Sequence, residues 1–392
     1  MKLRIPWQKV NWTNSLFLMG TLALTLTAAP LYVWKYGLDV FQIGLFLALF
    51  VATGLSITLG YHRLFAHRSF RAAWPVRLVT LVFGAAAFEN SALCWASDHR
   101  RHHKFTDQED DPYDISKGFW HAHIGWILFK LEPETDFSNV KDLQQDALVR
   151  WQHRYYVPIA LLAGYVFPAV LGGLWSGWTG ALGGFLFGGV ARMVTVQQFT
   201  FFINSLCHTL GSQPYSTRNT ARDSAIMAFF TFGEGYHNFH HAFQHDYRNG
   251  VKPWQFDPTK WAIWLLAKLG MASDLRRVSE ERIVLAEIAE KQRALDLKLA
   301  GGGTGRIESL CIHWNHAKTR LQTTFDYWDA KEREYRLAME NRLAASREKW
   351  VQTQREWSEA RAALHAAIRD WWRTYRLLHL ELAASSNQRR EN

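Results

Sequence analysis

Nine histidines occur in short clusters whose spacing suits metal binding. In chain order they are His62, His67, His99, His102, His103, His208, His237, His240 and His241. Imidazole is the commonest neutral metal ligand near physiological pH. Nine such groups exceed the needs of one ion and suit two ions with four or five nitrogen ligands each. Because imidazole accepts Zn, Cu, Fe or Ni, the ligand type alone does not identify the metal.

Two of the clusters have helical spacing. His99, His102 and His103 lie at positions i, i+3 and i+4 of the HRRHH motif, which places them on one face of a helix. The HNFHH motif repeats this geometry. Asn204 and His208 are also four residues apart, at the end of an apolar segment. These spacings predict that helices present the ligands.

His62 and His67 do not fit that rule. They are five residues apart, and an ideal α-helix separates such positions by about 140°. We therefore expect either that the helix frays into a loop here or that the two residues serve different ions. Glu234, just before the HNFHH motif, is expected to orient an imidazole from outside the ligand set.

Apolar segments predict an all-α integral membrane protein. Residues of about 13–34, 40–60, 155–175 and 178–203 are almost uncharged, and a bilayer-spanning helix takes roughly 20 residues. The basic N-terminus, MKLRIPWQK, is expected in the cytoplasm. Four spans then place every histidine cluster, and the C-terminus, on that same side. A shorter segment, about 76–93, is predicted to lie at the membrane interface.

The composition indicates which classes of binding partner to expect. The net charge is +10 and the 392 residues include 19 Trp, which favours an aromatic belt at a membrane and an anionic lipid, substrate or protein partner. No nucleic-acid-binding module accompanies the charge, so we expect no nucleic acid partner. The three cysteines form no CxxC pair, which favours a reducing compartment.

The flanking residues carry a family resemblance. The motifs HRLFAHRSF, DHRRHHKFTDQEDDPYD, GFWHAHIGWIL, NSLCHTLG and GEGYHNFHH resemble those of the membrane-bound acyl-CoA Δ9 desaturases of the stearoyl-CoA desaturase type. The resemblance runs from about residue 10 to about residue 290. It implies four transmembrane helices, a cytosolic cap and a di-iron centre held by the nine histidines. It also implies that Asn204 reaches one iron through a water, and that O2 is a co-substrate.

The implied reaction converts a saturated acyl thioester to a cis-olefin. The carrier is expected to be CoA or an acyl-carrier protein. Overproduced protein could contain Zn in place of Fe. An electron donor must be a separate protein, such as a cytochrome b5, a ferredoxin or a rubredoxin-like protein with its reductase, because the sequence has no HPGG, no GxGxxG and no cysteine cluster. We expect this enzyme in a bacterial inner membrane.

A bent apolar tunnel would position one C–C bond beside the metals. Phe46 and Phe50 are one helical turn apart in the second span and are candidates to close the tunnel, although they could equally be packing residues. Four basic residues, Arg68, Arg71, Lys104 and Lys117, are candidates for the anionic headgroup or for interfacial lipid. Asp98 matches a headgroup-contact position of the family, and Phe201 stands where vertebrate members have Trp.

The chain beyond residue 300 lies outside the resemblance. Residues 1–300 are predicted to form the desaturase domain, GGGTG at 301–305 a flexible hinge, and 306–392 a helical or coiled-coil tail. Aromatic and leucine residues recur every seven positions in two runs, which slip in phase near Arg342. We expect a helical hairpin or coiled coil that self-associates or docks a partner.

Two other functions remain open from the sequence. One is a membrane hydroxylase or monooxygenase, because its chemistry diverges only after the first hydrogen abstraction. The other is a non-enzymatic, metal-binding membrane scaffold that displays the tail.

Overall fold

The computed structural model describes residues 7–130, 136–299, 305–340 and 347–391. Its α-helices are α1 (Trp12–Tyr36), α2 (Val40–Leu55), α3 (Trp74–Ala85), α4 (Ala92–Phe105), α5 (Trp126–Leu128), α6 (Lys141–Gln144), α7 (Ala147–Arg154), α8 (Tyr156–Leu161), α9 (Phe167–Gly183), α10 (Arg192–Ser205), α11 (Ala225–Phe230), α12 (His237–Ala242), α13 (Pro258–Lys268), α14 (Glu280–Leu299), α15 (Gly305–Glu340) and α16 (Arg347–Glu391). The basic segment 1–6 and most of the predicted hinge, 301–304, lie outside the described residues.

Wider π-helical turns and short 3₁₀ turns extend several of these helices. The π-helical segments are Ser56–Ala66, His121–Gly125, Leu162–Val166 and Gly184–Ala191; the 3₁₀ segments are Trp7–Lys9, Ile115–Lys117, Ser138–Val140 and Leu206–His208. Two short strands, β1 (Arg71–Ala72) and β2 (Ala272–Ser273), pair antiparallel. The prediction of a mostly helical membrane protein is confirmed.

Three helical stretches are long and apolar enough to cross a bilayer. They are Trp12–Tyr36, Val40–Ala66 and Tyr156–His208. The first begins at an Asn11 cap, whose side chain accepts from the Asn14 N–H. The second begins at a capping box between Asp39 and Gln42. Such caps satisfy backbone donors that have no partner within the helix.

The third stretch is broken in its middle, at the position where the sequence predicted a short loop. Ser176 and Gly177 leave helical geometry, and Gly177 adopts a φ of 62° that glycine tolerates best. The chain then folds back on itself, so that a side chain at Gly172 or Gly180 would collide with the other's carbonyl oxygen. Small residues therefore let the two halves of this stretch pack closely.

The segment predicted as one interfacial helix at 76–93 is instead two helices. α3 ends at Ala85, and α4 begins at Ala92 behind a Ser91 cap. Phe88 and Asn90 between them have positive φ angles of 56° and 76°, which an α-helix cannot include. This turn separates α3 from α4, which carries three of the nine histidines.

Intramembrane Arg192 has a structural role. Its guanidinium is fully buried and donates to the carbonyl oxygens of Ala86, Gly164 and Gly188. Charged groups inside a membrane protein are tolerated when such partners satisfy them. Two of these bonds tie α10 to the turn after α3, through Ala86, and to the π-helical segment Leu162–Val166, through Gly164; the third lies within Arg192's own helical stretch.

The chain divides into two compact units, 1–290 and 291–392. In the second unit, α15 and α16 form a hairpin in which Trp314 packs on Trp371 and Tyr335 stacks on Trp357. Trp314, Trp328, Leu364, Trp371 and Leu378 of the predicted seven-residue runs are almost completely buried. The predicted helical tail is confirmed, and the predicted phase slip near Arg342 falls within residues 341–346, outside the described residues.

Candidate metal centre

His62 and His67 are brought together by a π-helical segment rather than by a loop. α2 continues without interruption as the π-helix Ser56–Ala66, so the expectation of a frayed end is wrong. In a π-helix the hydrogen bonds join residues five apart, and the His67 N–H donates to the His62 carbonyl oxygen at 3.0 Å. The spacing that would separate two ligands on an α-helix therefore aligns them here.

One group of imidazoles contains five residues from three parts of the chain. They are His62, His67, His99, His103 and His240, whose possible donor atoms all lie within 4.8 Å of one another. Neighbouring Nε2 atoms are 2.8 Å apart for His67 and His99, and 2.9 Å apart for His103 and His240. The second alternative for His62 and His67, that they serve different ions, also does not hold, because both belong to this group.

A second group contains the remaining four residues, His102, His208, His237 and His241. Its Nε2 atoms are 3.1 Å apart for His208 and His237, and 3.2 Å apart for His102 and His241. The helices α4 and α12 each serve both groups. On each of them the pair four residues apart enters one group and the third histidine enters the other.

The donor atoms fit metal binding better than mutual hydrogen bonding. The carboxylates of Glu234 and Asp111 lie 2.8 Å from Nδ1 of His62 and of His102, so Nδ1 carries the proton and Nε2 presents a lone pair. Lone pairs that face each other repel unless a cation lies between them. Two nitrogens at about 2.1 Å from one ion, at right angles, are about 3.0 Å apart, which matches the separations above.

Burial keeps these imidazoles neutral, as metal ligation requires. The pKa values of His99, His103 and His240 lie well below the usual range, first because burial disfavours the charged form and second because neighbouring imidazoles would repel it. The same two causes lower the pKa of His237 and His241. The site is therefore ready for a cation near neutral pH.

A buried ionic network holds Glu234 in place. Arg63 donates from Nε and Nη2 to one Glu234 oxygen at 3.0 and 2.9 Å, and from Nη1 to Asp257 at 3.1 Å. Asn249 donates to the other Glu234 oxygen at 2.6 Å. Burial opposes ionisation of Glu234, but the charge of Arg63 and its hydrogen bonds outweigh this effect, so the pKa of Glu234 lies below its usual value. The sequence prediction found Glu234 but not Arg63, Asp257 or Asn249.

A cavity of about 680 Å³ runs beside both groups. His62, His99, His237 and Asn204 contribute to its wall. Elsewhere the wall is largely apolar, with a cluster of four phenylalanines at one part, namely Phe50, Phe199, Phe230 and Phe232. The cavity could therefore place an apolar chain beside two bound ions.

Comparison with known proteins decides the family. The fatty acid desaturase family model matches residues 40–270, which include all nine histidines. The chain belongs to the fatty acid desaturase family. Its identity to acyl-CoA desaturase 1 of Saccharomyces cerevisiae is 40% over 325 residues, which are 79% of this chain and 61% of that protein.

Two further relatives of this family member differ in what their names say they act on. Human stearoyl-CoA desaturase is 31% identical over 72% of this chain and 77% of its own length. The sn-1 stearoyl-lipid 9-desaturase of Synechocystis is 33% identical over 70% of this chain and 81% of its own. The chain thus spans less than two thirds of the yeast relative but most of the other two.

The structure brings some of the expected substrate residues of this desaturase family member to the cavity and leaves others away from it. Asp98, Phe50 and Phe201 line the cavity. Phe46 does not; it stacks behind Phe50 with ring centres 6.2 Å apart. Glu89, which belongs to the segment predicted at the membrane interface, also lines the cavity.

The four basic candidates do not line the cavity. Arg68 faces Asp142 and Arg71 faces Asp274, while Lys104 lies over the Phe105 ring and Lys117 donates to the Glu109 carbonyl oxygen. The cation on the cavity wall is Lys130, near Asn11 and Asn14. No periodic pattern marks Lys130, so it could not be found from the sequence.

Proposed function

We propose that this protein removes two hydrogens from a saturated fatty acyl thioester, with acyl-CoA as the substrate and the Δ9 position as the site. The observation that carries the proposal is the cavity, because one apolar-walled space touches both histidine groups. The names of the relatives from yeast and human support a CoA thioester. The cis-olefin forms with the reduction of O2 to two waters, which consumes two electrons and two protons.

Two iron ions would be held by the nine histidines, with Asn204 reaching one of them through a water. Bound there, iron would supply the O2 activation that abstraction from an unactivated methylene requires. Four elements position the imidazoles: the π-helix after α2, helix α4, the 3₁₀ turn Leu206–His208 and helix α12. Asp111 hydrogen-bonds Nδ1 of His102, and a Glu234 oxygen lies 2.8 Å from Nδ1 of His62, which would direct the Nε2 lone pairs of both imidazoles towards the ions.

The cavity wall would select the bond that reacts. Phe50 belongs to the phenylalanine cluster and is proposed to close the apolar end, with Phe46 supporting it from behind. Asn11, Asn14, Asp98 and Lys130 contribute polar groups to the wall, and the Lys130 ammonium would attract the anionic headgroup. Holding the chain between these two ends would fix one methylene pair beside the metals and exclude water from it.

The membrane arrangement is also a proposal. Each half of the broken third stretch, on either side of Ser176 and Gly177, would cross the bilayer once, which gives four crossings. Both termini and the metal centre would then face the cytoplasm of a bacterium. A separate protein of the cytochrome b5, ferredoxin or rubredoxin class, with its reductase, would deliver electrons there.

The experiment is expression in a host that lacks its own acyl desaturase, followed by gas chromatography of its lipids. New monounsaturated chains are expected, and none with His102→Ala or His240→Ala. His316→Ala, which removes an exposed histidine of the tail, should leave the product unchanged. Hydroxylated chains in place of olefins would identify a hydroxylase. Purified protein that consumes no O2 with acyl-CoA and a reducing donor would support the scaffold instead.

The tail, 306–392, is proposed to self-associate or to dock a partner. Deleting residues 301–392 tests both roles. A change in oligomeric state or in the efficiency of electron delivery is expected. If neither the oligomeric state nor the efficiency of electron delivery changes, both self-association and partner docking through the tail are rejected.

A further inference from the structure

Two carboxylates of one loop point towards the four-histidine group. The loop follows α4 and contains Asp107 and Asp111. Asp111 contacts His102 Nδ1 directly, at 2.8 Å. Asp107 serves a different histidine, His208, but through an intervening side chain.

Thr220 lies between Asp107 and His208. The Thr220 hydroxyl oxygen is 2.8 Å from His208 Nδ1 and 2.7 Å from Asp107 Oδ1. The direct distance from His208 Nδ1 to Asp107 Oδ1 is 3.8 Å, too long for a hydrogen bond. The hydroxyl therefore makes a link that the carboxylate cannot make alone.

The direction of these hydrogen bonds follows from the ligand geometry. His208 Nε2 faces His237 Nε2 at 3.1 Å and must present a lone pair to bind an ion. The ring proton is then on Nδ1, which donates to the Thr220 oxygen. A hydroxyl has one proton to donate, and Asp107 accepts it. The three residues thus specify one tautomer of His208.

Asp107 is itself held firmly. Its second oxygen accepts from the Thr220 backbone N–H at 2.7 Å, so the carboxylate grips Thr220 at two points. Its own N–H donates to Asp111 at 3.1 Å. Asp107 also adopts a positive φ of 62°, a conformation that is uncommon for a non-glycine residue and that Asp and Asn tolerate better than most. A costly backbone conformation of this kind persists where surrounding contacts determine it.

We propose that Asp107 and Thr220 are positioning residues for His208, which they hold in the tautomer and orientation that bind the second metal ion. This inference rests on the metal centre of the proposed function, but not on the reaction. The four-histidine group then receives two contributions from this part of the chain. α4 supplies His102, and the loop that follows α4 supplies Asp107, which holds Thr220 against His208. Binding at this group then depends on a contact between two segments 113 residues apart in the chain.

The test compares Thr220→Val with Thr220→Ser in the full-length protein. Valine has the shape of threonine but no hydroxyl, whereas serine keeps the hydroxyl. The metal-stripped proteins are titrated with Co²⁺, and the visible absorption and the bound metal per chain are measured. Thr209→Val is the matched control, because the Thr209 hydroxyl beside His208 donates only to backbone carbonyl oxygens, the nearer being that of Ser205 at 3.0 Å.

Thr220→Val is expected to weaken one of the two Co²⁺ sites by about 10- to 100-fold, the usual effect of removing a ligand's orienting partner. Thr220→Ser and Thr209→Val should bind both ions as the unaltered chain does. Asp107→Asn, which tolerates the positive φ, should weaken the same site. Equal affinities in Thr220→Val and Thr220→Ser would overturn the proposal, as would a parallel weakening of both sites, since that would indicate a general structural defect.

These outcomes are separate from the fate of the proposed function. An unaltered chain that binds two ions but forms no olefin would reject desaturation and leave the positioning role intact. A chain that forms olefin normally with two equally tight ions in Thr220→Val would reject the positioning role alone.

Discussion

The His67 N–H donates to the carbonyl oxygen of His62 across one π-helical turn, at 3.0 Å. This bond aligns two candidate ligands of the five-histidine group at the end of the second apolar stretch. The other histidines of the candidate metal centre come from α4, from α12 and, as His208, from the end of the third apolar stretch.

The stability of the metal-stripped protein should fall on acidification. In the folded state the pKa values of His99, His103 and His240 lie well below 6.5 because of burial and mutual repulsion. The unfolded chain therefore binds more protons below about pH 6.5, so the free energy of unfolding decreases as the pH falls through that value. Thermal unfolding in detergent at about pH 7.5 and 5.5 measures this. A melting temperature that rose on acidification would contradict the burial argument.

Arg63→Met should destabilise the protein strongly. It would leave the buried carboxylates of Glu234 and Asp257 without their common cation, at a cost of about 3–5 kcal/mol. Arg71→Met is the control, because Arg71 and its partner Asp274 are both exposed and such pairs contribute about 0–1 kcal/mol. Heating in detergent followed by size-exclusion chromatography compares the two. Equal losses for both variants would show that the network is unimportant.

Product length should respond to Phe50 more than to Phe46. Phe50→Ala enlarges the cavity wall where Phe50 packs on Phe232, so longer acyl chains should be accepted. Phe46→Ala, which removes a ring behind the wall, should have the smaller effect. Gly54→Ala should act in the opposite direction, because a Cβ at this position meets the Phe232 ring and would push it inwards. Chromatography of the products decides, and identical profiles for the two phenylalanine variants would reject the assignment.

The tail hairpin should depend on its tryptophan seam. Trp371 is fully buried, whereas Leu380 on the same helix is 67% exposed. Trp371→Ala should cost about 3–5 kcal/mol, and Leu380→Ala less than about 0.5 kcal/mol. Hydrogen exchange in peptides of α15 and α16 reports the difference in the full-length chain. Unchanged exchange in Trp371→Ala would mean that the seam does not stabilise the hairpin.

The histidines could be found from the sequence because their spacing repeats a helical period. The spacing of His99, His102 and His103 predicts both a helix and the face on which they lie. The residues that flank the histidines indicate the family. The apolar spans were visible for a similar reason, since a bilayer imposes a length on them. A break at Ser176 and Gly177 could be expected because the predicted spans 155–175 and 178–203 follow each other directly.

The partners of the histidines could not be found in this way. Arg63 and Asp257 are 194 residues apart in the chain, and neither shares a period with the other. Asp107 and Thr220 are likewise far apart in the chain, by 113 residues, and only folding brings them together. The only feature of the π-helix that can be read from the sequence is the five-residue interval between His62 and His67. That interval alone does not distinguish a π-helical turn from a frayed helix end.

The wide turn also sets a limit on how this segment can change in length. A π-helical turn accommodates more residues than an α-helical turn. Removing one residue from a helix whose geometry does not change rotates everything after it by about 100° about the helix axis. Substitutions can be absorbed one side chain at a time, but an insertion or deletion here would displace the chain that leads into β1 and α3. We therefore expect the number of residues between these two histidines to be the same in functional relatives, even where their identities differ.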